Sequence, residues 1–118
     1  MFSPVDVVLT QRRVVQPDVL FIAKTRRGII KDCIDGVPDL VMEVISEHSW
    51  QRDRIEKKAL YEQAGVAEYW IVDPDSETIE VFTMASGVYQ LQSRATKAQT
   101  AKSKLLPGFG ISFKTLLR

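Results

Sequence analysis

The sequence predicts an α/β (α+β) protein in which one helix packs on a face of a mixed β-sheet. Three observations carry that expectation. Short apolar runs rich in β-branched residues occur at 5–9, 19–23, 37–45 and 68–73, and these read as strands. Only the stretch between Ser46 and Gly65 carries both a helix start and a helix stop. Two further runs, at 79–84 and 88–91, are joined by Ala85-Ser86-Gly87 and read as an antiparallel meander.

Each element has a local reason. The run at 5–9 is brief and β-branched, and the one at 19–23 is entered by Gln16-Pro17-Asp18, with proline acceptable at a strand's first position. The polar stretch 24–36 has residues for a turn or two of helix. Val37-Pro-Asp-Leu-Val-Met-Glu-Val-Ile45 is the best candidate for a central strand. Ser49 can cap the following helix, and Gly65 is a natural residue to end it. Asp73-Pro74-Asp75-Ser76 has the composition of a type I turn. Leu106-Pro-Gly-Phe-Gly110 is loop-like, and 111–117 reads as a last strand or short helix.

Length and composition bound the function. A chain of 118 residues is expected to form one domain spanning 1–118. The single cysteine, Cys33, cannot close an intramolecular disulfide, which points to a reducing, cytoplasmic setting. One cysteine and one histidine, His48, exclude a metal site built from either type. No apolar run approaches the roughly 20 residues of a membrane span, and the first residues show no leader pattern. The net charge of +1 is unevenly spread. Residues 1–93 carry 10 basic and 15 acidic side chains, whereas 94–118 carry 6 basic and no acidic ones. An acidic body with a basic end suits a protein that holds a cation and a phosphate, and a solvated surface segment would also account for it.

Two charges break the pattern of their elements. Strand alternation places Asp39, Val41, Glu43 and Ile45 on one face, so Glu43 falls inside an apolar strand. A buried carboxylate is costly unless it is paired or bound to a metal. On the helix, one arc collects Trp50, Asp53, Lys57, Leu60, Tyr61 and Ala64, which places Lys57 among the residues that face the sheet. The opposite arc holds Lys58 and Glu62, a plausible surface pair. An inward Lys after a strand with an inward Glu predicts that the two meet, and Asp18 at the neighbouring strand's entrance could complete the group. Two carboxylates suit Mg²⁺ with waters, and a nearby Lys suits a phosphoryl transition state. A salt bridge or a lysine reaching past the apolar surface to water would explain the same residues.

These residues resemble a known family. Gln16-Pro17-Asp18, Pro38-Asp39-Leu-Val-Met-Glu43-Val-Ile-Ser46, Arg52-Asp53 through Lys57 to Tyr61, Gly65-Val-Ala-Glu-Tyr-Trp-Ile-Val-Asp-Pro74 and Leu106-Pro-Gly108 are similar to the Uma family of bacterial restriction-endonuclease-like proteins. That family belongs to the PD-(D/E)XK nuclease superfamily, and the likeness runs over nearly the whole chain. The resemblance implies a restriction-endonuclease-like sheet with a packed central helix and an endonuclease that hydrolyses DNA with Mg²⁺ or Mn²⁺. It implies that Asp18 and Glu43 bind the metal and that Lys57 is the third catalytic residue. The superfamily's usual Lys two positions after the acid is absent, since Val44 and Ile45 follow Glu43. Asp39 matches a family position and is expected to support the metal site or substitute within it. Ser46 is expected near the metal's waters, though helix entry alone would account for it.

The resemblance further implies an N-terminal block that this chain is expected to lack, as a truncated member, a fragment, or a protein that completes its sheet as a homodimer, since an exposed sheet edge invites such pairing. DNA is the expected partner, contacted through Arg94, Lys97, Lys102 and Lys104. The alternative is a catalytically inactive remnant of the same fold that serves as a DNA-binding or dimerisation module. Blander still is a folded protein whose trio is only an ion network.

Overall fold

Two successive runs with apolar residues on both faces form the parallel pair at the centre of the molecule. The computed structural model describes residues 6–10, 13–15, 19–22, 24–30, 34–45 and 51–112. In chain order the elements are β1 (Val7–Thr10), β2 (Arg13–Val15), β3 (Val19–Phe21), a 3-10 helical segment (Lys24–Ile29), β4 (Ile34–Asp35), β5 (Leu40–Val44), α1 (Gln51–Ala64), β6 (Glu68–Asp73), β7 (Thr78–Ala85), β8 (Val88–Thr96), β9 (Thr100–Lys102) and β10 (Gly110–Ser112).

The main sheet has five strands in the order β3-β5-β6-β7-β8. β5 and β6 run parallel, with Glu43 opposite Ile71, and α1 makes the crossover between them. The other neighbours are antiparallel, so the sheet is mixed, as expected. A second sheet, β2-β1-β4, and a β9–β10 hairpin complete the fold. The fold class read from the sequence therefore holds: a sheet-dominated α+β protein with one α-helix among the described residues.

Alternation divides the core in two. Val41, Tyr69, Ile71, Phe82 and Tyr89 line one face of the main sheet, under Tyr61 of α1 and Val7 and Leu9 of β1. Leu40, Met42, Trp70, Val72, Ile79, Val81 and Ala95 line the other, under Ala101 of β9. Tyr61, Trp70, Val41, Ile79 and Val81 are fully buried, and each such side chain contributes about 1.5–3 kcal/mol of hydrophobic stabilisation.

The turns follow their sequences. Gly65 adopts φ +86° just past α1, where Val66 N–H donates back to Tyr61 O at 3.1 Å. Ser86 and Gly87 both have positive φ, which matches the right-handed strand twist of the two-residue β7–β8 hairpin. Asp73 Oδ1 accepts from Asp75 N at 3.0 Å and holds the β6–β7 turn.

Several expectations need correction. β2, β4 and β9 do not stand out in the sequence, because each is only two or three residues long. β8 runs on through Thr96 rather than ending at 91, since its partner β7 extends along it. Lys58 and Glu62 do not form a solvent pair. Lys58 Nζ lies 4.1 Å from the Phe82 ring centre, and Glu62 Oε2 accepts from Tyr89 N at 2.7 Å. The sheet extends past the helix to β7 and β8, so the flank of α1 meets strands instead of water.

Candidate functional site

Glu43 occupies the middle of β5, on the face that α1 covers, and is 7% exposed. Both of its oxygens are engaged from the helix. Tyr61 donates its hydroxyl to Oε1 at 2.7 Å, and Lys57 donates Nζ to Oε2 at 3.3 Å. Lys57 and Tyr61 are one helical turn apart, so they project from the same side of α1. The Lys57 side chain is 41% exposed and that of Glu43 is 9% exposed, so the ammonium joins a buried carboxylate to solvent.

The pairing of Glu43 with Lys57 is the one that strand alternation and the helical arc predict. Tyr61 was expected only as core, yet it is also the donor that fixes Glu43. Its signal lay in the sequence, because a buried tyrosine hydroxyl needs a partner and Tyr61 shares the arc of Lys57. Its ring lies 5.1 Å from that of Tyr69, which sets the direction of the hydroxyl.

Other predicted residues lie elsewhere. Asp39 Oδ1 accepts from Arg26 Nη1 at 2.8 Å, an ion pair that ties the 3-10 segment to the start of β5. Four residues along a strand separate Cα atoms by roughly 13 Å, so Asp39 stands apart from Glu43. Asp18 and Ser46 lie outside the described residues. Asp18 precedes Val19 in the chain, and Val19 pairs with Met42, the neighbour of Glu43.

The four basic residues divide between locations. Glu43 lies opposite Ile71, Ile71 opposite Glu80, and Glu80 opposite Arg94, so all four share one transverse row and one face. Arg94 Nε is 3.9 Å from Glu80 Oε2. Lys97 follows β8 in a turn whose N–H bonds Glu77 O at 2.9 Å. Lys102 and Lys104 belong to the hairpin that covers the opposite face, where Ala101 is fully buried.

That opposite face holds a buried acid unforeseen from the sequence. Glu68, 1% exposed, accepts from Trp70 Nε1 at 2.9 Å, Ser103 Oγ at 2.5 Å, Lys104 N at 2.8 Å and Leu105 N at 3.0 Å.

A hard divalent cation is the group this chemistry would take, since Mg²⁺ is commonly held by one or two carboxylates with waters. Glu43 supplies one such carboxylate, buried, with the half-exposed Lys57 between it and solvent. No group of three or more His, Cys, Asp or Glu side chains that could hold a metal occurs among the described residues.

A family model named Uma2, described as "Putative restriction endonuclease", matches residues 1–114. The chain belongs to the Uma2 family. No curated protein matches it. Among solved structures it is similar to "a putative nuclease belonging to DUF820" from Anabaena variabilis, with a TM-score of 0.64 and 17% identity. The match covers 87% of this chain and 59% of that one, so this Uma2 chain spans about three-fifths of the neighbour's length. At that identity the likeness shows the shared fold, which agrees with the restriction-endonuclease-like sheet. Among the described residues of this Uma2 chain, no helix is long and apolar enough to cross a membrane.

Proposed function

We propose that this Uma2 chain forms a single restriction-endonuclease-like domain over 1–118 that hydrolyses DNA phosphodiester bonds with Mg²⁺ or Mn²⁺. The observation that carries the reading is the buried Glu43 held by Tyr61 at 2.7 Å and paired with the half-exposed Lys57 at 3.3 Å. Membership of a family described as a restriction endonuclease supports it.

Glu43 and Asp18 would hold the cation. When bound, the metal would supply Lewis-acid polarisation of a phosphoryl oxygen and acidify a water. The chain's own groups do the rest. Tyr61 keeps one Glu43 oxygen fixed, so the carboxylate presents a constant geometry to the site. Lys57, half-exposed beside Glu43, offers N–H donors where negative charge grows on the phosphoryl oxygens in the transition state. Burial of Glu43 lowers the local dielectric and strengthens both contacts. Asp39, bound to Arg26, supports the start of β5 from a distance.

Cleavage of supercoiled plasmid with Mg²⁺ or Mn²⁺ tests this, using wild-type, Glu43→Ala and Lys57→Ala proteins. The expected result is nicking by wild type only. Activity that survives in both variants overturns the site assignment.

A second reading has its own observation: protein donors already engage both Glu43 oxygens, as in a structural ion network. On that reading the chain is a stably folded protein whose charged group is only an ion network. It requires that added Mg²⁺ leave the melting temperature unmoved, because a specific ligand must stabilise the folded state.

A further inference from the structure

We infer that the sheet face away from Glu43 carries a binding site for a small organic cation, a primary ammonium on a short alkyl body, in the cavity beside Glu68. The cavity lies between the start of β6, the end of β7 and the loop that follows β9, and measures about 330 Å³. Small-molecule sites begin at about 300 Å³, so a ligand of a few heavy atoms suits it. Glu68 and Glu43 face opposite sides of the sheet, so the site stands apart from the nuclease reading.

A hydroxyl supplies the hydrogen bond. Thr83 is directly opposite Glu68 in the β6–β7 ladder, so both point to the face of Trp70. Thr83 is only 8% exposed, yet its hydroxyl has no hydrogen-bond partner among the described residues. No fully buried side-chain polar atom among those residues lacks a partner, so this hydroxyl opens into the cavity that Thr83 lines. It can accept from an ammonium while its own proton turns elsewhere.

Glu68 supplies charge without a contact. Two donors on each oxygen fill its acceptor positions and leave no place for a proton of its own, so the carboxylate is ionised. All four donors are neutral, and Glu68 forms no ion pair among the described residues. A buried anion without a counter-ion holds the adjoining cavity at negative potential. Lys104, the cation among the described lining residues, is exposed, so solvent screens its charge as it cannot screen that of Glu68. An ammonium seated on Thr83 is therefore attracted, and a carboxylate or phosphate there is repelled. Ala67, Met84 and Leu105 complete the lining and give an alkyl body apolar walls.

The probe is n-butylammonium, with butanol and butyrate as controls of the same length. Binding is followed in amide nitrogen–proton correlation spectra, with the Lys104 and Leu105 amides that bond Glu68 as reporters. n-Butylammonium should shift them saturably, and neither control should. Thr83→Val keeps the side-chain shape and should weaken binding several-fold. Glu68→Gln should weaken it about tenfold or more, and Lys104→Gln should tighten it about twofold. A preference for butyrate, an equal response to all three probes, looser binding in Lys104→Gln, or wild-type affinity in Thr83→Val overturns the assignment. Thr83→Val decides even where Glu68→Gln fails to fold, because the hydroxyl it removes has no protein partner to lose.

Discussion

Glu43 and Glu68 are buried in the same five-stranded sheet, on opposite faces, and are satisfied by different kinds of donor. Glu68 accepts from an indole, a hydroxyl and two backbone amides, all of them neutral, and three of those donors come from residues 103–105. Its charge pins the segment that leaves β9 toward β10 onto the sheet. Glu43 accepts from the Tyr61 hydroxyl and the Lys57 ammonium, and the ammonium is open to solvent. Burial of an acid is therefore a poor indicator of chemistry on its own. The donors around it, and whether one of them reaches solvent, separate a clamp from a candidate site.

Removing each carboxylate should give the largest contrast. Glu43→Ala is expected to reduce cleavage by about 10²–10³-fold, the scale of losing a key electrostatic group. Its stability cost should be about 1–2 kcal/mol, mainly from the buried Tyr61 hydroxyl, because Lys57 can turn to water. Glu68→Ala should do the reverse. It strands buried donors in Trp70 and the 103–105 segment and should cost on the order of 3 kcal/mol in denaturant unfolding, with activity falling only as the folded fraction falls. A Glu68→Ala protein that melts like wild type but no longer cleaves would break the comparison.

Glu68→Gln sharpens it with a smaller perturbation. The amide oxygen can still receive the Lys104 and Leu105 amides, which both bond Oε1. Its NH₂ then faces Ser103, which can turn to accept, and Trp70 Nε1, which cannot. One donor-on-donor contact should cost about 1–2 kcal/mol, read as a lower denaturation midpoint with an unchanged m-value.

The two acids also differ in how visible they are in sequence. Glu43 interrupts an apolar alternation, and Lys57 sits on an arc with Leu60 and Tyr61, so the periods of strand and helix bring them together on paper. The order of strands and the single α-helix follow from the same periods. Glu68 opens a strand, where an acid is unremarkable, and two of its partners are backbone amides 36 and 37 residues away that leave no side-chain signature. The short strands β2, β4 and β9 were illegible for a related reason: two or three residues cannot display a period. Arg94 was legible as a cation, but its place on the Glu43 row depends on three ladder registers.

Tyr61→Phe removes the hydroxyl that donates to Glu43 Oε1. The ring stays packed against Tyr69, so the melting temperature should fall only by the equivalent of about 1 kcal/mol. If the hydroxyl positions the carboxylate for a metal, Mn²⁺ affinity measured by calorimetry should weaken several-fold, with kcat falling more than KM rises. A variant that loses stability but keeps wild-type Mn²⁺ affinity would make Tyr61 a packing residue, and Glu43 would then resemble Glu68 more closely than proposed.

The smallest effect should come from alkaline pH, which reaches the Glu43 face through Tyr89. That hydroxyl donates to Val66 O at 2.7 Å, and its ring lies 5.8 Å from that of Tyr69. Burial, then the neighbouring Tyr69 and Glu62, push its pKa well above the usual tyrosine range. The folded state therefore holds this proton more tightly than the unfolded chain does. The resulting stability is present in full below about pH 10 and is lost as pH rises beyond it, since only the unfolded chain then gains by ionising. Melting temperatures from pH 7 to 11 should show a steeper alkaline fall in wild type than in Tyr89→Phe. Parallel curves would mean that Tyr89 carries none of that slope. The aromatic stack under α1 would then be no more sensitive to base than the Trp70 face that carries Glu68.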